Sequence, residues 1–372
     1  MNRRNYFKLI GVVLCLGIAG GLIAQGNTQP PIEQIASFGN HMAIGMTVNS
    51  ENRVFVSFPN YDADGSYALA ELVEGRLHPY PDQSWNTKDI VGAHHFVRVQ
   101  DLYVDSKDYL WVLDSKPAPA SDIFKSASTA QKTGYFSLIK INTKSGKVER
   151  TYDFKDLDKS VSALNDVRVD PISNTAYLSD PGQAAIVVLD LKTGRSRSVL
   201  KKTSYTLADT VVLRYNGKEM RDKAGHPFVS NINGIALTHD GHYFYFKPIN
   251  QDYLFRIDTK YLKDTSISKR DLAAKVEKVA KVGVTHGLIA AKNGNIYMTT
   301  SEGYSISYLT PTGELKQLVK DKNLLWPDSM GIGSDGYLYI SCSQLQLLPT
   351  WNNGIDKTDY PYKAFRVKLI SQ

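Results

Sequence analysis

The chain has 372 residues, 42% of them hydrophobic and 22% charged, with 44 Lys and Arg against 37 Asp and Glu for a formal charge of +7. Two cysteines, Cys15 and Cys342, exclude a disulfide-stapled framework, and a chain of this length can be held by its core instead. No basic cluster is interleaved with aromatic residues, so a nucleic-acid surface is excluded too.

At the N-terminus Arg3, Arg4 and Lys8 lead into an apolar run over residues 9–24, and a polar stretch, QGNTQPP, follows. A basic start, an apolar run short for a spanning helix and a polar exit are the three parts of an export signal. We read residues 1–24 as a signal peptide cut after Ala24, and residues 25–33 as a short linker. The order Arg3-Arg4-Asn5-Tyr6-Phe7-Lys8 also fits a twin-arginine leader, so both export routes stay open. The expected location is secreted or periplasmic, with no stable membrane anchor after cleavage. Losing three basic groups takes the charge from +7 to +4, and Cys342 is left without a partner.

From residue 34 onward one short unit recurs six times: an apolar strand, a turn rich in Asp, Asn, Ser or Gly, and a strand carrying an aromatic residue. The copies are GMTVNSENRVFVSF (45–58), DLYVDSKDYLWVLD (101–114), DVRVDPISNTAYLSD (166–180), GIALTHDGHYFYFK (234–247), GLIAAKNGNIYMTT (287–300) and SMGIGSDGYLYISC (329–342). Their aromatic anchors are Phe55, Trp111, Tyr177, Phe244, Tyr297 and Tyr339. Apolar and polar residues alternate within each copy, the period of a strand, and the turns hold residues that tolerate positive φ. A second strand pair follows at 137–154, 184–200 and 304–319, joined by KSG, KTG or PTG. One such sheet cannot bury both faces alone, and radial packing of copies around an axis solves this. The fold class is therefore all-β: a six-bladed β-propeller with four-stranded antiparallel blades around a central channel, one domain over 34–372, expected as a monomer.

Three further segments carry expectations. The stretch 266–283 places Leu272, Ala273, Val276, Val279 and Ala280 at helical spacing, which predicts an outer helix between blades 4 and 5. Long loops at 117–134 and 213–231 are either rims over a pocket or mobile surface. The alternating tail KAFRVKLI (363–370) is expected to close the ring by joining the sheet of the first blade.

Residues just before each inner strand converge at one mouth of the channel. Aligned by the repeat, one row holds Ile44, Gln100, Asn165, Asn233, His286 and Asp328, and the next Gly45, Asp101, Asp166, Gly234, Gly287 and Ser329. Five of six residues in the first row are polar, which suits a concave site with a few convergent polar groups. The candidate ligand-binding residues are Gln100, Asp101, Asn165, Asp166, Asn233, His286 and Asp328, with Asp166 or Asp328 able to pair with an amine. His286, whose ordinary pKa lies near neutrality, is the candidate proton-transfer residue. Should a metal bind, Asn165, Asn233 and Asp328 offer oxygen ligands that suit Ca2+ or another divalent cation. Ile44 stands where a further acid would be wanted. No Gly-x-Ser-x-Gly elbow, phosphate loop, His-Glu-x-x-His or Cys-x-x-Cys is present, which argues against serine hydrolases, nucleotide enzymes and zinc proteases.

The segments AIGMTVNSENRVFVSFPNY, LHPYPDQSW, LNDVRVDPISNTAYLSDP, NGIALTHDGHYFYFKPI and LLWPDSMGIGSDGYLYISCSQLQ together resemble the major royal jelly protein/Yellow family, almost end to end over the mature chain. The chain lacks the cysteine pairs of many secreted insect members and so looks like a bacterial-type member. The resemblance implies an exported six-bladed propeller. It brings three family associations: dopachrome conversion, binding of biogenic amines in the channel, and storage. No shared catalytic set comes with it. More distantly, NGIALTHDG and PDSMGIGSDGYLYIS resemble gluconolactonase/senescence-marker propellers, which would assign Asn165, Asn233 and Asp328 to a divalent metal. The first expectation is thus a binder of a small aromatic amine or other polar metabolite, with dopachrome-type tautomerase activity open. The alternative is a metal-dependent lactonase.

Overall fold

The alternating segments all form strands. The computed structural model describes residues 29–59, 67–87, 94–119 and 132–370. The expected leader and most of the 117–134 loop lie outside the described residues.

After an N-terminal strand β1 (Ile32–Ser37), blade 1 comprises β2 (Met46–Val48), β3 (Val54–Ser57), β4 (Leu69–Val73) and β5 (Arg76–Pro79). Blade 2 comprises β6 (Val99–Val104), β7 (Tyr109–Lys116), β8 (Tyr135–Asn142) and β9 (Val148–Tyr152). Blade 3 comprises β10 (Val167–Asp170), β11 (Thr175–Asp180), β12 (Ala185–Asp190) and β13 (Ser196–Val199). A small hairpin, β14 (Arg214–Tyr215) and β15 (Lys218–Glu219), lies in the long connection to blade 4. Blade 4 comprises β16 (Ile232–Leu237), β17 (Tyr243–Pro248), β18 (Tyr253–Asp258) and β19 (Glu277–Lys281), with α1 (Thr259–Lys263) and α2 (Lys269–Ala273) between its last two strands. Blade 5 comprises β20 (Leu288–Ala290), β21 (Ile296–Thr300), β22 (Ser305–Leu309) and β23 (Leu315–Lys320). Blade 6 takes β24 (Pro327–Ile332), β25 (Tyr337–Cys342) and β26 (Lys363–Lys368), and its outer strand is β1.

Each inner hairpin turns through one left-handed residue: Asn52, Asp108, Asn174, Gly241, Gly294 and Gly336. Asn, Asp and Gly bear that conformation at least cost, which is why the turn chemistry is legible in the repeat. All six aromatic anchors sit on the second strand of their blade and are buried, from 0% exposure at Phe55 to 5% at Tyr339. They pack between blades, as with Tyr177 of blade 3 against Phe244 of blade 4 at 5.3 Å between ring centroids.

Two expectations are corrected. The tail does not join the first blade. β26 is the third strand of blade 6, and β1 joins it from the other end of the chain, pairing Ile32 with Val367 and Ser37 with Lys363. Strand β1 begins at Ile32, inside the stretch expected as linker. Nor is 266–283 one outer helix. The helix ends at Ala273, and residues 277–281 form the outer strand of blade 4, where Tyr253 pairs with Lys281. The sheet's open edge offers backbone partners to a segment rich in valine, and this overrides the helical spacing.

Candidate functional site

The inner strand of every blade carries the same irregularity. Two residues of the inner strand face one residue of the second strand, a β-bulge that re-aims the strand entrance. Register shifts mark it between Val99 and Asp101, between Ile232 and Ile235, and between Pro327 and Met330. In four blades a hydroxyl from the second strand accepts the freed N–H. The donors are Gly45 to Ser57 (2.9 Å), Asp166 to Ser179 (3.1 Å), Gly287 to Thr299 (2.8 Å) and Ser329 to Ser341 (3.1 Å). Both rows expected at the channel mouth sit on these bulges.

The second row splits in two by how neighbouring blades meet. Asp101 accepts from Val167 N of blade 3 at 2.9 Å, and Asp166 likewise accepts from Ile235 N of blade 4, so each carboxylate satisfies a strand N–H of the next blade. At the glycines the neighbouring backbone itself comes in. A β-carbon on Gly234 would stand 1.8 Å from the His286 carbonyl oxygen, and one on Gly287 2.0 Å from that of Asp328.

In the first row Gln100 Nε2 donates to Asn165 Oδ1 at 3.2 Å, and Asn165 Nδ2 donates to Asp166 Oδ1 at 2.8 Å. These three form one chain of polar groups across blades 2 and 3. Asn233 Nδ2 reaches only Ser230 Oγ, at 3.4 Å, and Asp328 Oδ2 accepts from Ser343 at 2.8 Å. His286 stands apart. Its ring stacks on Trp326 at 4.1 Å, and Nε2 is bonded to the Ser301 hydroxyl, which also meets the Tyr215 hydroxyl at 2.6 Å.

Tyr215 belongs to the 213–231 insert, which forms a lid. Leu213, Met220 and Phe228 are buried in one cluster with Trp326, Ile249 and Leu345. Phe228 meets Trp326 edge-on at 5.5 Å, and Asn250 Nδ2 holds the Val211 and Phe228 carbonyls at 2.8 Å each. The insert is thus packed against the ring side, through Phe228 on Trp326 and Tyr215 on Ser301.

One residue divides the channel. Arg168, on β10, donates from Nη1 to Asp101 Oδ2 at 3.1 Å and from Nη2 across the channel to Leu288 O of blade 5 at 2.9 Å. The guanidinium thus ties blades 2, 3 and 5 and separates the ring from the inner-hairpin side. There the channel widens into a cavity of about 710 Å3, lined by the strand ends and turns.

The electrostatics follow from burial. Asp166 and Asp328 are half-buried, with part of their surface left open. Burial, helped by the charge of Asp101, pushes Asp166 well above the usual carboxylate range, against the pull of Arg168. Asp328 is pushed up to about 7 by burial, with the Ser343 hydroxyl opposing. Asp101 is raised as well, since burial outweighs its ion pair with Arg168. His286 moves the other way, down to about 3, through burial and then the charge of Lys247. Its charged form is disfavoured across the ordinary pH range, and of its ring nitrogens Nε2 is bonded while Nδ1 is buried without a partner.

A divalent metal fits this ring poorly. The direction of blade 1 is filled by buried Ile44, Asn165 Oδ1 is taken by Gln100, and Asp328 is the only carboxylate of the three candidate ligands. Among the described residues no group of three or more His, Cys, Asp or Glu is placed to hold a metal.

Arg168, Tyr215, Trp326, Ser301 and the bulge hydroxyls did not emerge from the repeat alone. Arg168 had a signal: its aligned positions are Thr47, Tyr103, Ala236, Ile289 and Gly331, so a guanidinium stands where no other copy has a charge. The hydroxyls had one too, in Ser57, Ser179, Thr299 and Ser341.

The profile of the major royal jelly protein family matches residues 97–372. No curated protein matches the sequence. Among solved structures the chain is similar to a luciferin-regenerating enzyme, at 12% identity and a TM-score of 0.56 over 92% of this chain and 96% of that one. It is similar to XC5397 from Xanthomonas campestris, a gluconolactonase, at 10% identity and a TM-score of 0.54 over 92% and 95%. It is also similar to the calcium-binding protein regucalcin from Agrobacterium tumefaciens str. C58, at 13% identity and a TM-score of 0.53 over 91% and 93%. At such identities these likenesses speak for the fold alone.

Proposed function

The chain belongs to the major royal jelly protein family, and on that footing we propose that it is an exported binder of a small amine-bearing molecule, held at the ring of its central channel. One observation carries this reading. Asp166 and Asp328 lie at the ring, and the buried guanidinium beside them, Arg168, is ion-paired with Asp101. Two carboxylates that form no salt bridge among the described residues make a site complementary to an ammonium group. Gln100, Asn165 and Asn233 supply neutral hydrogen bonds around it, and His286 backs the ring from Trp326.

A tautomerase reading would require His286 to exchange a proton. Burial disfavours its charged form so strongly that the binder reading is preferred. The lactonase alternative is set aside because Ile44 stands where the metal set needs an acid. Export rests on the three-part leader, and N-terminal sequencing of protein recovered from the periplasm or medium checks it.

The binding test is a titration with tryptamine, dopamine and their uncharged analogues. The amines should bind, and Asp328→Asn should weaken them by about tenfold, the worth of one charge-assisted hydrogen bond. Equal binding of charged and uncharged analogues would sink the reading.

A further inference from the structure

On the other side of Arg168, the inner-hairpin cavity has a floor where the guanidinium, paired on one side with Asp101, keeps donors unspent. Arg168 is 7% exposed. Its Nη1 is spent on Asp101 and on Val167 O, and Nη2 gives one bond to Leu288 O. Nε has no partner. Beside it lies the ring of Tyr103, 5.5 Å from the guanidinium carbon, whose hydroxyl has no hydrogen-bond partner among the described residues. Burial pushes the Tyr103 phenol up to about 12, so the hydroxyl keeps its proton and is available to donate.

Each acid around the rim accepts hydrogen bonds from nearby groups, Asp108 from Ser50 N at 2.7 Å and the Thr143 hydroxyl at 3.1 Å. Asp105 accepts from the Lys107 and Tyr109 amides and from the Trp111 indole. Asp170 accepts from the Ile172 and Ser173 amides. Asp240 accepts from the Thr238 hydroxyl and the His242 amide. Lys107 and Lys292, both exposed, stand at the same rim. Between rim and floor, Val104, Ile289 and Ile332 give apolar wall that is only partly covered. Unspent buried donors under an apolar wall call for an acceptor-bearing ligand, and a guanidinium edge matches a carboxylate best.

We propose that this cavity is a second binding site, separate from the ring, for a small organic acid with an apolar body, its carboxylate held by Arg168 and Tyr103. The volume of about 710 Å3 suits a metabolite-sized molecule. Arg168 stands between the acid site and the ring acids Asp166 and Asp328, so each site is tested with its own ligand and its own variant.

Calorimetric titration with benzoate, phenylacetate and indole-3-acetate, each beside its neutral amide, tests this. At least one acid should bind about tenfold more tightly than its amide. Tyr103→Phe should weaken that acid several-fold. Ile289→Trp should abolish it by filling the wall, while tryptamine binding at the ring is retained. Equal affinities for acids and amides, no binding by any of the three acids, or acid binding that survives Ile289→Trp would overturn the proposal. Tryptamine with Asp328→Asn reports on the ring separately, so either site can fail alone.

Discussion

The carbonyl oxygen of His286 occupies the place where a side chain on residue 234 would begin, 1.8 Å from an ideal β-carbon. The two inner strands meet through backbone, and residue 234 must be glycine for blades 4 and 5 to close. Gly234→Ala is therefore expected to cost about 3 kcal/mol or more, at the upper end for overpacking. A denaturant midpoint within error of the parent's would show that the blades part without penalty.

Arg168 and Asp101 form a buried ion pair, their side chains 8% and 3% exposed. Removing one partner leaves a buried charge without compensation, so Arg168→Met should lose about 3–5 kcal/mol. Adding Asp101→Asn to that background should recover part of the loss. The recovery is the readout: identical stability of single and double variants would mean that the charge pair is not what Arg168 contributes.

His286 and Asp328 contribute to the pH dependence in opposite senses. His286 has a folded pKa of about 3, below its ordinary value of about 6.5, so the unfolded chain binds more protons between these limits. Its contribution to stability is complete above pH ~6.5 and is lost as the pH falls toward ~3, with a slope of at most about 1.4 kcal/mol per unit. His286→Asn should flatten the acid limb of a Tm-against-pH curve.

Asp328 runs the other way. Its folded pKa of about 7 lies above the ordinary carboxylate value, so the folded state holds the extra proton. Its contribution is full below about pH 3.8 and fades as the pH rises through about 7. Asp328→Asn should raise stability at pH 8 relative to the parent and leave it little changed near pH 4. A gain of equal size at both pH values would refute the shift.

Strand β1 buries Ala36 and pairs along β26 from Ile32 to Ser37. Deleting residues through Ser37 should cost about 3 kcal/mol, from the apolar area and ladder bonds lost. Glu33→Ala, which removes the half-exposed pair with Arg366 and a 3.4 Å bond from the Tyr337 hydroxyl, should cost less than about 1 kcal/mol. Thermal unfolding of both variants checks the ranking.

The hairpins could be read from residues because each states its own turn: Asn52, Asp108, Asn174, Gly241, Gly294 and Gly336 mark the reversals locally. Closure could not be, since Ile32 and Val367 are brought together by the ring and nothing near either names the other. The helix expected over 266–283 failed for a related reason. Its spacing is equally compatible with a short helix followed by an edge strand, and the choice is made by Tyr253 and Leu254 on β18. At the site, the two rows were located correctly as strand entrances. Their division into carboxylates that satisfy neighbouring amides and glycines that admit neighbouring carbonyls was not visible. It depends on how closely adjacent blades approach, which each repeat sets with a residue from another. Tyr215 meets Ser301 across 86 residues of chain, beyond any local pattern.

The placement of β1 in the last blade also orders events during synthesis. Strand β1 leaves the ribosome before every blade, yet has no partner until Lys363–Lys368 has been made. Until then β1 is an unpaired edge carrying Ile32, Ile35 and Ala36, open to pairing with other chains. A product that stops short of Lys363 never gains that partner, so a single terminal strand distinguishes finished chains from interrupted ones.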